Sequence, residues 1–226
     1  MTAALGWGAF AAASLVLGAL LGIAHHWSDK LVGLVLAFGA GALISAVSFD
    51  LAQEGFKTGG GEAVGIGLAI GALTYFLAAR ALPGDGDGGS ALALGAFLDG
   101  IPEQAVLGIG LASGEGVSVG LLAAIFVSNL PEAIGSATGM HTSRAKIIQL
   151  WIAVAVVCTL ATVAGYAIAD AASGELRAAI NGFAAGALLV MLIDSMIPEA
   201  RRKGGDTAGL VTVLGFAVAA ALSVLS

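Results

Sequence analysis

Eight apolar runs, each close to the length that crosses a bilayer, follow one another along this chain with only short polar breaks between them. They cover about 3–24, 31–53, 62–81, 91–112, 117–140, 147–169, 177–199 and 207–225. A hydrocarbon core of roughly 30 Å takes ~20 helical residues to cross. Inside lipid every backbone amide and carbonyl must find its partner within the protein, which a helix provides by itself. The expected fold class is therefore all-α, a polytopic membrane protein of eight transmembrane helices forming one domain over 1–226. The longest polar connection, Pro83–Ser90, is too short to hold a second domain.

Composition agrees. Hydrophobic residues make up 58% and charged residues 11%, against about 25% charged in soluble domains; the mean hydropathy is +1.00. The net charge of −6 argues against a nucleic-acid partner and leaves the lipid bilayer as the main one. The single Cys158 lies in an apolar run, so no disulfide forms within the chain, and it reads as a packing residue. The first run has no basic residue before it and ends at His25-His26-Trp27-Ser28-Asp29-Lys30. It is read as the first span, not as a cleaved signal.

The basic residues set the orientation. Breaks on the side of the termini hold Lys57 and Arg177, whereas those on the other side hold Lys30, Arg80, Arg144, Lys146, Arg201, Arg202 and Lys203. The positive-inside rule then puts both termini outside the cytoplasm.

Two internal likenesses stand out. Phe38-Gly39-Ala40-Gly41-Ala42-Leu43 in the second span matches Phe183-Ala184-Ala185-Gly186-Ala187-Leu188 in the seventh, and the same offset brings Glu54 onto Glu199. Phe97-Leu98-Asp99-Gly100-Ile101-Pro102-Glu103 in the fourth span aligns with Phe126-Val127-Ser128-Asn129-Leu130-Pro131-Glu132 in the fifth. Partners run in opposite directions, the pattern of inverted repeats, whose substrate sites lie near the midplane.

The fourth and fifth spans carry the chemistry. Asp99 and Glu103 stand four residues apart and share a helix face, and Glu132 sits similarly deep. A carboxylate at the bilayer centre costs about 2.5–3.5 kcal/mol or more, and no Lys, Arg or His occurs mid-span to neutralise these three. They are protonated, or they are neutralised by a cation that comes and goes. Pro102 and Pro131 each displace the carbonyl four residues back, at Leu98 and Val127. With Asp99, Glu103, Ser128, Asn129 and Glu132 this gives an oxygen-rich set suited to a divalent cation. A packing kink with protonated acids is the competing account.

At these residues the chain resembles the ZIP (Zrt/Irt-like) metal transporters. The paired Pro-Glu helices, the Gly-Ala-rich second and seventh spans, and Ile197-Pro198-Glu199 closing the seventh carry the resemblance. It implies a 3+2+3 arrangement, a divalent-metal path between the fourth and fifth helices, uptake towards the cytoplasm, and often a homodimer. It also implies a transported ion (Zn2+, Mn2+, Fe2+ or Cd2+) in place of a resident cofactor. The family motif His-Asn-x-Pro-Glu-Gly reads Asp99-Gly100-Ile101-Pro102-Glu103-Gln104 here, and the fifth span has Ser128 where a second histidine is expected. The sixth span, Ile147–Ala169, lacks the acid that completes a second metal site in some members. Loss of imidazole shifts the preference from zinc towards harder ions.

Asp50 and Glu54 end the second span and Asp194 and Glu199 the seventh, as candidate waystations for the ion. His25, His26 and His141 fall at the cytoplasmic boundary and read as hydrated. Gly84-Asp85-Gly86-Asp87 matches the Gly-x-Gly-Asp of intramembrane aspartyl proteases but sits in a Pro/Gly turn, so no enzyme activity is expected. The alternatives to a metal transporter are a non-transporting metal-binding or sensor relative and a proton-coupled carrier of a small organic cation.

Overall fold

Serine hydroxyls start three of the helices. In the computed structural model, which describes residues 1–25, 27–81, 88–112, 119–169 and 171–224, Ser28 accepts from the Leu31 amide at 3.3 Å, Ser143 from Lys146 at 3.4 Å and Ser173 from Leu176 at 3.2 Å. Each satisfies an amide that a helix start leaves without a partner. Asp29 and Glu175 add negative charge to two of these first turns, where the helix dipole favours it.

The elements run α1 (Thr2–Ala24), α2 (Asp29–Ser45), a π-helical stretch (Ala46–Gln53), α3 (Glu54–Ala81), α4 (Gly88–Ala112) and α5 (Val119–Gly139). They continue with α6 (Arg144–Ile168), α7 (Gly174–Met191), a second π-helical stretch (Leu192–Met196), α8 (Ile197–Gly204), a 3-10 turn (Gly205–Thr207) and α9 (Ala208–Val224). No strand occurs among the described residues, so the all-α expectation holds.

Helix ends and apolar-run ends differ in places. The second run stops at residue 53, but the helix continues through Glu54 and Lys57 and breaks only at Gly60. The seventh likewise continues past Glu199 to Gly204 and breaks at Gly205. A helix does not end where its side chains turn polar, because its hydrogen bonds are made by the backbone. α4 already begins at Gly88, inside the expected Pro83–Ser90 connection. Residues 82–87, with the Gly84-Asp85-Gly86-Asp87 sequence, lie outside the described residues, as do His26 and 113–118.

Gly60 (φ 84°, ψ 170°) and Gly205 (φ 67°, ψ −151°) adopt backbone that is essentially restricted to glycine. A Cβ at either would meet no atom within 4 Å. Gly60→Ala and Gly205→Ala should therefore each cost about 1–3 kcal/mol by backbone strain alone, read as a lower midpoint in detergent unfolding.

Five stretches of the described residues are long and apolar enough to cross a membrane: Thr2–Ala24, Asp29–Ala81, Gly89–Ala112, Arg144–Ile168 and Gly174–Ser223. The two longest, of 53 and 50 residues, are the ones that Gly60 and Gly205 interrupt. Large apolar side chains cover the outside, among them Ile70 and Leu77 on α3, Val156 and Leu160 on α6, and Leu210 and Val213 on α9. Such a perimeter suits hydrocarbon as the surrounding solvent.

Inside, one apolar cluster joins α1, α4, α5 and α6 around Leu15 and Trp151. A larger one joins α2, α3 and α7 to α8 and α9 around Leu36, Leu188 and Met191. α1 packs on α5 as α6 packs on α4, α2 packs on α5 as α7 packs on α4, and α2 packs on α9 as α7 packs on α3. Other features recur at one constant interval along the chain. Capping Ser28 recurs as Ser173, the first π-helical stretch recurs as the second, and Gly60 recurs as Gly205.

Candidate functional site

α4 and α5 each carry a proline in mid-helix and continue across it. The Pro131 ring is accommodated because α2 presents Gly39 to it; a Cβ on Gly39 would come 2.7 Å from the proline Cβ. Three polar side chains flank that proline and are enclosed. Ser128 and Asn129 are 2% exposed and Glu132 is 0% exposed. Ser128 donates its hydroxyl to the Ile125 carbonyl at 3.1 Å.

Glu132 is the unusual member. Neither of its carboxyl oxygens has a hydrogen-bond partner among the described residues. Burying an unsatisfied carboxyl is costly in any low-dielectric interior. Its surroundings come from two other helices. Glu103 of α4 lies close enough for the two acids to feel each other's charge. Gly95, two turns earlier on α4, leaves the space in front of Glu132, since a Cβ there would sit 3.2 Å from Glu132 Oε1. The Met191 side chain of α7 closes on the same glycine.

The remaining sequence candidates are distributed differently. Asp99 lies on α4 one turn before Glu103, but its side chain is outside the described residues. Among the described residues, no three acidic, histidine or cysteine side chains converge closely enough to hold an ion by themselves. Asp50, in the first π-helical stretch, accepts from the Ser223 hydroxyl at 2.5 Å. Glu54 is exposed and accepts from Thr58 Oγ1 at 3.1 Å. Asp194 is exposed. Glu199 is held by Arg202 at 2.5 Å and Lys203 at 2.9 Å, on its own helix. It starts α8 as a neutralised end charge. His25 stacks edge-on against Trp27, and His141 is exposed.

Further residues belong to the site. Tyr75 of α3 is fully buried, and its hydroxyl lies 3.2 Å from the Ala91 carbonyl of α4 and 3.2 Å from Ser195 Oγ in the second π-helical stretch. It is near enough to Glu132 and Asp194 to feel their charges. Met191, at the end of α7, is another. The available signal was that Tyr75 is one of two tyrosines in the chain and stands in an apolar run. Thr162 of α6 donates to Gln104 Oε1 at 2.5 Å, fixing α6 to the residue beside Glu103.

One relative is similar in sequence over most of the chain. Over 213 aligned residues, covering 87% of the chain, the sequence is 31% identical to a protein of Arabidopsis thaliana named "Putative zinc transporter". The chain spans about a third of that protein's length, 34%. No family model matches the chain.

Proposed function

We propose that this chain is a ZIP-like carrier of divalent metal cations, and not an enzyme, with its transport site between α4 and α5. The observation that carries the reading is Glu132. It is a fully enclosed carboxyl with both oxygens lacking a hydrogen-bond partner among the described residues, set beside a second acid, Glu103. A transient cation supplies the partner that is lacking among the described residues. Glu103 and Glu132 are the core ligands, and Asp99, Ser128 and Asn129 complete an oxygen shell around the cargo ion.

Eight crossings fit the helices, with Gly60 and Gly205 dividing the two longest apolar stretches and α5 forming the fifth. The exchange of packing partners between α1 and α6, α2 and α7, α3 and α9, and α4 and α5 supports an inverted repeat and a 3+2+3 order. Both termini are then extracytoplasmic, as the basic residues indicate, and assembly as a homodimer belongs to the same reading. The name of the plant relative supports zinc as cargo; the missing histidines extend the cargo to manganese, iron and cadmium.

Purified protein in proteoliposomes should carry Zn2+, Mn2+, Fe2+ or Cd2+ down its gradient, read with an enclosed metal-sensitive dye. Dye response equal to protein-free vesicles for all four ions would overturn the reading. Metal-independent proton uptake with an organic cation would favour the carrier alternative.

A further inference from the structure

The two π-helical stretches are each fastened by a hydroxyl from the last helix of the opposite half of the chain. Tyr75 of α3 holds Ser195 at 3.2 Å, and Ser223 of α9 holds Asp50 at 2.5 Å. Ser195 and Asp50 are separated by the same interval that separates Gly205 from Gly60 and Ser173 from Ser28. The two fasteners are thus counterparts, made from different side chains. Tyr75 also reaches the Ala91 carbonyl of α4 at 3.2 Å, so it links the helix that carries Glu103 to the second π-helical stretch.

A π-helical stretch holds one residue more per turn than its flanks and recurs at functional sites. Each stretch lies between a regular helix and a glycine break, with Gly60 following the first and Gly205 the second. Glycines there tolerate the backbone changes that a hinge absorbs. With eight crossings, the two stretches approach opposite faces of the membrane. Met191, the last residue of α7 before the second stretch, is the side chain closing on Gly95 in front of Glu132.

We infer that Tyr75–Ser195 and Ser223–Asp50 are paired latches on the two ends of the transport path, and that Tyr75, Ser195, Ser223 and Asp50 position the π-helical stretches without binding the ion themselves. The inference rests on the carrier reading for its role in transport, but the latches themselves are testable without it.

Amide hydrogen exchange of the full-length protein in detergent provides that test. Tyr75→Phe keeps the ring and removes the hydroxyl; it should speed exchange in 192–196 by roughly three- to tenfold, the worth of one neutral hydrogen bond, and leave 46–53 unchanged. Ser223→Ala should do the reverse. Ser195→Ala should reproduce Tyr75→Phe, and the two together should add little. Unchanged exchange at the targeted stretch, or equal loosening of both stretches by either variant, overturns the latches. In proteoliposomes, Tyr75→Phe should change maximal flux by a similar factor and leave the half-saturating Zn2+ concentration alone. Local exchange as expected with no flux of Zn2+, Mn2+, Fe2+ or Cd2+ even in the unaltered protein would leave the latches standing and overturn the carrier reading.

Discussion

Glu132→Gln is expected to abolish stabilisation by metal without weakening the metal-free protein. The unaltered chain gains RT ln(1 + [L]/Kd) from a bound ion, about 2.7 kcal/mol at a hundredfold excess over Kd. For a chain of this size that corresponds to a rise of roughly 5–10 °C in the unfolding midpoint. Glutamine keeps the shape of the side chain and one carbonyl oxygen, but it cannot neutralise a divalent cation. Without metal, the enclosed carboxyl already lacks a partner for both oxygens among the described residues, so its removal forfeits no hydrogen bond within that set. Glu132→Met should go further, removing a buried polar group outright, and should raise the metal-free midpoint. A thermal-shift titration with Zn2+ and Mn2+ reads both effects. A full metal-induced rise in Glu132→Gln would move the site elsewhere.

Gly41→Val is expected to be the most damaging single substitution in the scaffold. A Cβ on Gly41 would penetrate the Thr212 carbonyl oxygen of α9 and come 2.7 Å from the Phe216 amide. No rotamer change relieves a collision with backbone, so α2 and α9 must separate. Helix association in lipid depends on close packing, and forced overpacking costs about 1–3 kcal/mol or more. Gly186, the counterpart in α7, meets the Leu68 carbonyl of α3 in the same manner, and Gly186→Val should be similarly harmful. Gly65 is the control. It is exposed on α3 with nothing within 4 Å of a Cβ, so Gly65→Ala should be neutral or stabilising by up to about 1 kcal/mol. Midpoints of unfolding in mixed detergent would rank the three.

Much of this architecture is readable from residues alone, for a physical reason in each case. Apolar runs of bilayer length must be helices, and Ser28-Asp29 ahead of such a run is a helix start by its own hydrogen-bonding capacity. The Pro-Glu pairs are conspicuous because a carboxylate beside a helix-breaking residue has no place in an ordinary span. The π-helical stretches left no trace in composition: one extra residue per turn changes register, not residue type. In Gly59-Gly60-Gly61, any of the three could have made the break, and only the backbone geometry selects Gly60. Glu199 is instructive in the other direction. Arg202 and Lys203 follow it at three and four residues, which is ion-pair spacing on a helix. The apolar run closes at Glu199, whereas the helix itself continues through α8 to Gly204. Tyr75 carries no sign of its role in the sequence, since a tyrosine in an apolar run resembles an interfacial anchor. Its partners, Ala91 and Ser195, are distant in sequence.

The central claim is that Glu103 and Glu132 together hold the transported ion. Zinc and manganese flux into proteoliposomes by the Glu103→Ala, Glu132→Ala double variant tests it most directly, with correct folding established by an unchanged gel-filtration profile. The account predicts flux indistinguishable from protein-free vesicles. Flux at the level of the unaltered protein would contradict it.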